Sequence, residues 1–339
     1  MTTFVGLDVS LKETSICIVD EAGSVIKEGT VLSNPGRIAD YVGDHASAVS
    51  RIGLESGPTS SWLWRELEAR GLPVVCIDAR HASAALSMQI NKSDRNDALG
   101  IARIMQTGWF RKVQVKSENS HRIRALLNAR SLLVKMRRDL ENQIRGLFKT
   151  FGLVIGRANG GVFLKRAYRV CEEAPELAGI AAPLLAAREV IDRERANLER
   201  QVKRLARENA QSRAFMTVPG VGPMTSLAYL SGIDDPSRFA RSRTVGAYLG
   251  LTPRRHASGE VDWSGRISKC GDTMLRTYLF EAAGVLLTRT KQTCSLKEWG
   301  MAIAARSGGK KARVAVARKL AVILHRMWRD GTQFQWTTA

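Results

Sequence analysis

Between Phe4 and Ile77 the chain alternates short β-branched runs with turn signals, and this alternation constrains the fold more than any other feature. Phe4-Val5-Gly6-Leu7-Asp8-Val9 predicts a first strand and Ser15-Ile16-Cys17-Ile18-Val19 a second. Asp20-Glu21-Ala22-Gly23 is a turn into a third strand around Val25-Ile26. A fourth is expected at Arg51-Ile52-Gly53-Leu54-Glu55. Helical spacing from Ser61 to Ala69, closed by Gly71, then precedes a fifth at Pro73-Val74-Val75-Cys76-Ile77. Three strands in a meander, followed by strands alternating with helices, predict a mixed α/β domain.

Past residue 118 the pattern becomes helical. His121 to Phe151 carries Ile123, Leu126, Leu127, Leu133, Met136, Leu140, Ile144 and Leu147 at helical spacing, with eight Lys and Arg between Arg122 and Lys149 on the other faces. Leu184, Ile191, Leu198 and Leu205 fall seven apart, with Val202 beside Leu198, which suits either a coiled coil or an amphipathic helix on its own core. Gly156, Gly160-Gly161 and Pro175 mark an irregular or short-helix connection between the two helices. A final helix is expected within Lys310 to Trp328, with Val314, Ala317, Leu320, Ala321, Leu324 and Trp328 on one face. The expected division is an α/β domain over 1–145, a helical linker or coiled coil over 146–210, a mostly helical domain over 211–330 and a loose tail over 331–339.

The 339 residues include 52 Lys and Arg against 32 Asp and Glu, a net charge of +20. That excess favours a polyanionic partner, nucleic acid first. An anionic membrane is disfavoured, because there is no apolar run of 18 residues and no lipidation signal. The start lacks the basic and apolar regions of a secretory signal. Five scattered cysteines, none in a CxxC pair, give neither a zinc site nor a disulfide framework and fit a reducing cytoplasm.

Four acids stand out. Asp8 ends the first strand and Glu55 the fourth, while Lys92-Ser93-Asp94-Arg95-Asn96-Asp97-Ala98 opens a helix. Spacing of three puts Asp94 and Asp97 on one helical face, within reach of one cation. Oxygen-only donors suit Mg²⁺ or Mn²⁺, and two such ions about 4 Å apart can hold a scissile phosphate. Singly, each acid also reads as a turn residue, and Asp94 as a helix N-cap. Their placement together matches the acids of a ribonuclease-H-like fold.

A second group lies in Leu249-Gly250-Leu251-Thr252-Pro253-Arg254-Arg255-His256-Ala257-Ser258-Gly259, read as a basic loop. A serine needs a base, a metal or nearby positive charge to become a nucleophile. Arg254 and Arg255 are suited to gripping a phosphodiester. If the segment is extended, His256 and Ser258 point the same way. Taken alone, Ser258 reads first as a solvated loop serine. Ser264 and Ser268, in the basic turn from Trp263 to Asp272 that includes Lys269, are rival candidates. Val218-Pro219-Gly220-Val221-Gly222-Pro223 has the form of a helix-hairpin-helix turn, whose Gly220 and Gly222 would let backbone N–H groups approach a phosphate. A Pro-Gly turn between packed helices would look similar.

Gly6-Leu7-Asp8, Leu54-Glu55-Ser56-Gly57-Pro58, Lys92 to Ala98, Pro219-Gly220-Val221-Gly222 and Leu249 to Gly271, in this order, closely resemble the DEDD transposases of bacterial insertion sequences. This is the one-hundred-ten family of bridge-RNA-guided recombinases, and the resemblance spans about residues 3 to 330. It implies a RuvC-like nuclease domain bearing the tetrad Asp8, Glu55, Asp94 and Asp97. It also implies a second, transposase-specific domain with Ser258 as nucleophile. In the family that serine forms a covalent phosphoserine with DNA, and the metal-bound acids complete a composite site between protomers. Members act as dimers and tetramers joined partly through a coiled coil, and a noncoding RNA pairs with donor and target DNA. The basic helices then become candidate RNA and DNA contacts. His256 lies outside the transferable pattern, and the 150–183 segment is longer than the family leads one to expect. Two other functions compete with recombination: a metal-dependent junction endonuclease that uses water, and a nucleic-acid-binding protein without chemistry.

Overall fold

The structure is a computed structural model that describes residues 1–87 and 93–336. It comprises two compact units, Met1–Lys116 and Ser117–Ala339.

The first unit runs β1 (Thr3–Val9), β2 (Glu13–Val19), β3 (Val25–Leu32), α1 (Pro35–His45), β4 (Val49–Glu55), α2 (Ser60–Glu68), β5 (Val74–Ile77), α3 (Ala79–Leu86) and α4 (Asp94–Thr107). Its sheet has the order β3-β2-β1-β4-β5. The first three strands pair antiparallel, while β1, β4 and β5 run parallel, so the mixed α/β expectation holds. Strand alternation feeds two cores. Val5, Leu7, Ile52 and Leu54 pack with Ile38 and Val42 of α1 and Leu63 and Leu67 of α2. Phe4, Cys17, Val19 and Ile77 pack with Ala82 of α3 and with Ala98, Ile101 and Met105 of α4. The sequence reading missed α1. Its signal is Asn34-Pro35, where the Asn34 carboxamide accepts from the Gly36 N–H at 2.9 Å and proline occupies the first turn. Burial pushes the Cys76 thiol up to about 11, which keeps it protonated.

The second unit opens with α5 (Glu118–Thr150), α6 (Gly160–Glu173), α7 (Pro175–Glu208), α8 (Ala210–Met216), α9 (Pro223–Ile233) and α10 (Val245–Tyr248). Then come β6 (Pro253–Ser258), β7 (Val261–Ile267), α11 (Thr273–Thr288), α12 (Ser295–Ser307) and α13 (Gly309–Asp330). A boundary at 145 would cut through α5. The helix belongs to the second unit from its start, because Ile123 and Leu127 are buried in the same core as α9, α11 and α13. Tyr229 of α9 is fully buried there and donates to the Ala321 carbonyl at 2.6 Å. Residues 331–336, expected as a loose tail, are mostly exposed but anchored at Phe334. Phe334 packs on this core, and its N–H donates to Thr217 Oγ1 at 3.1 Å. Thr337 to Ala339 lie outside the described residues.

α5 and α7 form an antiparallel pair, since Arg130 meets Glu199, Arg137 meets Asp192 and Glu141 meets Arg188. Leu184, Ile191, Leu198 and Leu205 are only half-buried, whereas Leu185, Arg188, Val202 and Ala206 are buried. The segment expected to be an irregular or short-helix connection supplies α6, a helix of 14 residues. Phe163, Ala167 and Val170 of that helix join Ile144, Phe148, Leu177, Ala181 and Leu185 in a separate core. The helix pair thus runs between two apolar cores. Its middle is held by ion pairs, of which Arg188–Glu141 is buried at 2.8 Å.

Candidate active-site residues

The acids of the first unit are placed by two glycines. Gly6 and Gly53 are register partners on β1 and β4. A Cβ on Gly6 would stand 2.0 Å from the Ala98 carbonyl oxygen and 2.4 Å from the Ala102 nitrogen, so the α4 backbone lies directly on the strand. On Gly53 a Cβ would meet Met105 and Ile101 side chains at 2.6 to 2.9 Å. Two residues further along each strand, on the same face, stand Asp8 and Glu55. The helix seated on the glycines begins at Asp94, with Ser93 as its N-cap accepting from the Asn96 N–H at 3.3 Å. Its first turn therefore carries Asp97 to the acid-bearing ends of β1 and β4. Asp8, Glu55 and Asp97, all half-buried, line one cleft of about 440 Å³ with Ser83 and Ser87.

Asp94 is exposed and is not among the residues lining that cleft. Lys92 of the same motif lies outside the described residues. Among the described residues no group of three His, Cys, Asp or Glu side chains is close enough to hold a metal ion. The donor chemistry of Asp8, Glu55 and Asp97 nevertheless fits a hard divalent cation, because all three offer carboxylate oxygen only. Asp78 stands just past β5, outside every motif named above. It caps α3 by accepting from the Arg80 N–H at 3.0 Å, and the Arg80 side chain holds its carboxyl below the usual range.

In the second unit, the expected basic loop is a two-stranded antiparallel hairpin. Pro253, Arg255, His256, Ala257 and Ser258 face Ile267, Ser264, Trp263, Asp262 and Val261. Gly259, with φ +57°, and Glu260 form a two-residue turn that places Ser258 at the hairpin tip. The hairpin base is fixed by a backbone crossing. A Cβ on Gly250 would sit 2.1 Å from the Cys270 carbonyl oxygen, and one on Gly271 would sit 2.1 Å from that of Tyr248. At the crossing Lys269 adopts φ +55° and donates its N–H to the Gly250 carbonyl at 3.1 Å, while its side chain is exposed.

Period-two geometry divides the hairpin into faces. Ser258 shares one with His256, Val261 and Trp263. Arg255, Ala257, Asp262 and Ser264 share the other, and Arg255 binds the Asp262 carboxylate with two hydrogen bonds of 2.9 and 2.6 Å. That fork, expected to grip phosphate, is engaged within the hairpin. Arg254 donates to the Ser268 carbonyl at 3.3 Å. Of the rivals, Ser264 lies on the face opposite Ser258, and Ser268 lies past the strand with its Oγ accepting from the Cys270 N–H at 3.4 Å.

The two glycines of the Pro-Gly motif separate in role. Gly220, φ +86°, sits against α11, where a Cβ would stand 2.4 Å from the Ala282 carbonyl oxygen, so helix packing accounts for it. Gly222 is the N-cap of α9 and faces open space. Two helices joined by a turn are present, but α9 is buried from Thr225 to Ile233 and works as a core helix.

The description "Transposase IS116/IS110/IS902 family" belongs to a sequence profile matching residues 212–297, and a DEDD transposase profile of the IS110 type matches residues 5–152. The chain is 34% identical over 334 residues to the transposase for insertion sequence element IS1111A of Coxiella burnetii, covering 94% of this chain and 87% of that one. It is 32% identical to a probable family 20 transposase of Pseudomonas aeruginosa, covering 80% and 82%. It is 27% identical to the transposase for insertion sequence element IS1328 of Yersinia enterocolitica, covering 84% and 85%. A glycine-seated acidic cleft, a serine at a hairpin tip and similarity along nearly the whole chain therefore lead to one conclusion: the chain belongs to the IS110 family of insertion-sequence transposases and is a DNA transposase.

Proposed function

We propose that this transposase is an RNA-guided, site-specific recombinase that moves an insertion-sequence element, with Ser258 as its nucleophile. The observation that carries the reading is the convergence of Asp8, Glu55 and Asp97 on one cleft. Strand order β3-β2-β1-β4-β5, with acids at the ends of β1 and β4, is consistent with a ribonuclease-H-like, RuvC-like nuclease domain. Asp94, exposed in the first turn of α4, would be the fourth acid of the tetrad. A divalent ion, Mg²⁺ or Mn²⁺, supplies Lewis acidity toward a phosphate oxygen when bound. Asp8, Glu55 and Asp97 would hold it.

Ser258 Oγ attacks the phosphorus of a DNA strand. The Oγ–P bond forms, the P–O bond to one deoxyribose breaks, and the serine proton ends on the departing sugar hydroxyl. The phosphoserine conserves the bond energy, so a hydroxyl of a second strand can reverse the step and join new partners. Arg254, Lys269 and the Gly222 end of α9 are proposed DNA-backbone contacts, joined by Arg255 once it exchanges Asp262 for phosphate, while Gly220 serves the packing of that turn on α11. The guide RNA, the dimer or tetramer and a cytoplasmic, nucleoid-associated location are inferred from the family resemblance and the +20 charge. Among the described residues no helix is long and apolar enough to cross a membrane.

The test is strand cleavage of element-junction DNA by the RNA-loaded protein under Mg²⁺. Asp8→Ala, Glu55→Ala and Asp97→Ala should each abolish it, and Ser258→Ala should remove a denaturant-resistant protein–DNA adduct. Cleavage that persists in Ser258→Ala and never yields an adduct would favour the second reading, a metal-dependent Holliday-junction-type endonuclease that uses water.

A further inference from the structure

The β6–β7 hairpin carries two aromatic rings that its fold does not use. His256 and Trp263 are cross-strand partners with ring planes 11° apart and centroids 6.0 Å apart. Every residue of β6 is exposed, and Trp263 is 53% exposed. Neither ring belongs to an apolar core, so the burial that normally rewards a tryptophan is missing here. Gly265 gives the indole its room, because a Cβ there would stand 2.6 Å from the Trp263 ring. Strand alternation puts the pair on the face that bears Ser258, two residues back from it. At the usual strand rise this is about 7 Å along the hairpin, a distance that one nucleotide spans. Exposed Arg266 and Lys269 add positive charge to the same hairpin and its base.

We propose that Trp263 and His256 form a nucleobase-stacking site: a base next to the scissile phosphate stacks on the rings and so delivers that phosphate to Ser258. The inference rests on Ser258 as nucleophile and goes beyond it by assigning both rings a substrate contact. An aromatic face accepts any base, which suits an enzyme whose sequence choice lies elsewhere. Arrangement of positive charge beside exposed rings is the general form of single-strand recognition. The occupant is the DNA strand under attack.

The test uses full-length, RNA-loaded protein and junction DNA carrying 2-aminopurine beside the scissile phosphate. In a Ser258→Ala background, which stops before the covalent step, binding should quench the probe. Adding Trp263→Leu should lose the quenching, and adding Trp263→Phe should keep it. With Ser258 intact, Trp263→Leu should slow adduct formation about tenfold or more and Trp263→Phe should restore it. Leucine and phenylalanine behaving alike would mean that the indole only packs on Gly265, and would overturn the proposal. Quenching by the same probe placed in the RNA, with none in the DNA, would overturn it in favour of an RNA contact. Trp263-dependent quenching with no adduct from any variant would instead refute Ser258 as nucleophile and leave a base-binding site without delivery to serine.

Discussion

Replacing Gly6 by alanine tests how the acidic cleft is built. The new methyl carbon would appear 2.0 Å from the Ala98 carbonyl oxygen and 2.4 Å from the Ala102 nitrogen, where ordinary contact begins at 3.4 Å. Both obstacles are helix backbone, so no side-chain rotation relieves them and α4 must retreat from β1. Overpacking of this kind costs about 1–3 kcal/mol, and a backbone clash belongs at the upper end. For a unit of this size such a loss lowers the melting temperature by on the order of 10 °C. The retreat also carries Asp97 away from Asp8 and Glu55, and a displacement of about 1 Å can cost roughly 100-fold in rate. Gly53→Ala is the control, because it meets only side chains of Met105 and Ile101, which can repack at about 1 kcal/mol. Scanning calorimetry and Mg²⁺-dependent strand cleavage on the two variants give the comparison. Gly6→Ala with the melting temperature and cleavage rate of the parent would refute the argument that glycine seats α4.

Three further outcomes are expected. Glu141→Gln leaves the buried Arg188 with only Asp192, at 3.6 Å, as a charged partner and should destabilise the second unit by about 2–3 kcal/mol in chemical denaturation, whereas Glu141→Met with Arg188→Met should recover much of the loss. Asp234, at φ 68°, accepts from Ser117 N and Oγ and from Ser120 Oγ at 2.8, 2.5 and 2.5 Å, so Asp234→Ala should cost about 1–2 kcal/mol and fray the start of α5 by hydrogen exchange. Asp192 and Glu199 titrate below their ordinary 3.8 and 4.5: burial pushes upward, but Arg195 bound to both, with Arg137 on Asp192 and Arg130 on Glu199, outweighs it. Stability from these lowered acids is complete above their ordinary values and is lost as pH falls through the folded ones. The α5–α7 pair should therefore loosen only below about pH 4.5, read by circular dichroism, and an unchanged helix signal down to pH 2 would contradict this.

The legible parts of the fold were those with a strict period. Strands β1, β2, β4 and β5 follow from runs of β-branched residues, and α5, α7 and α13 from apolar spacing. Apolar spacing on the long helices leaves their charges to the other faces, and most are exposed there, but Arg188 and Glu141 are buried and Arg130, Arg137 and Arg195 half-buried. Arg188 is the largest fully buried side chain, and no periodicity announces that an arginine will pair with a glutamate 47 residues earlier. The domain boundary was misplaced for a related reason, since Ile123 and Leu127 show apolar spacing without showing which core receives them. At the site, the acids at strand ends were readable, but the meaning of Gly6 and Gly53 was not, because glycine as a helix seat needs the partner helix in view. The hairpin was read as a loop because Arg254, Arg255 and Ser258 look solvated. They are solvated, and Arg255 and Ser258 are also paired across the hairpin. The turn Ser258-Gly259-Glu260-Val261 was its unread signal.

Serine chemistry at the hairpin tip is the central claim, and peptide mapping of the trapped adduct tests it most directly. Protein incubated with junction DNA is denatured, digested with nuclease and protease, and analysed for peptides bearing a nucleotide mass. The account requires the mass on Ser258, with none on Ser264 or Ser268. A nucleotide on either rival serine, or strand cleavage that leaves no modified peptide, would contradict it.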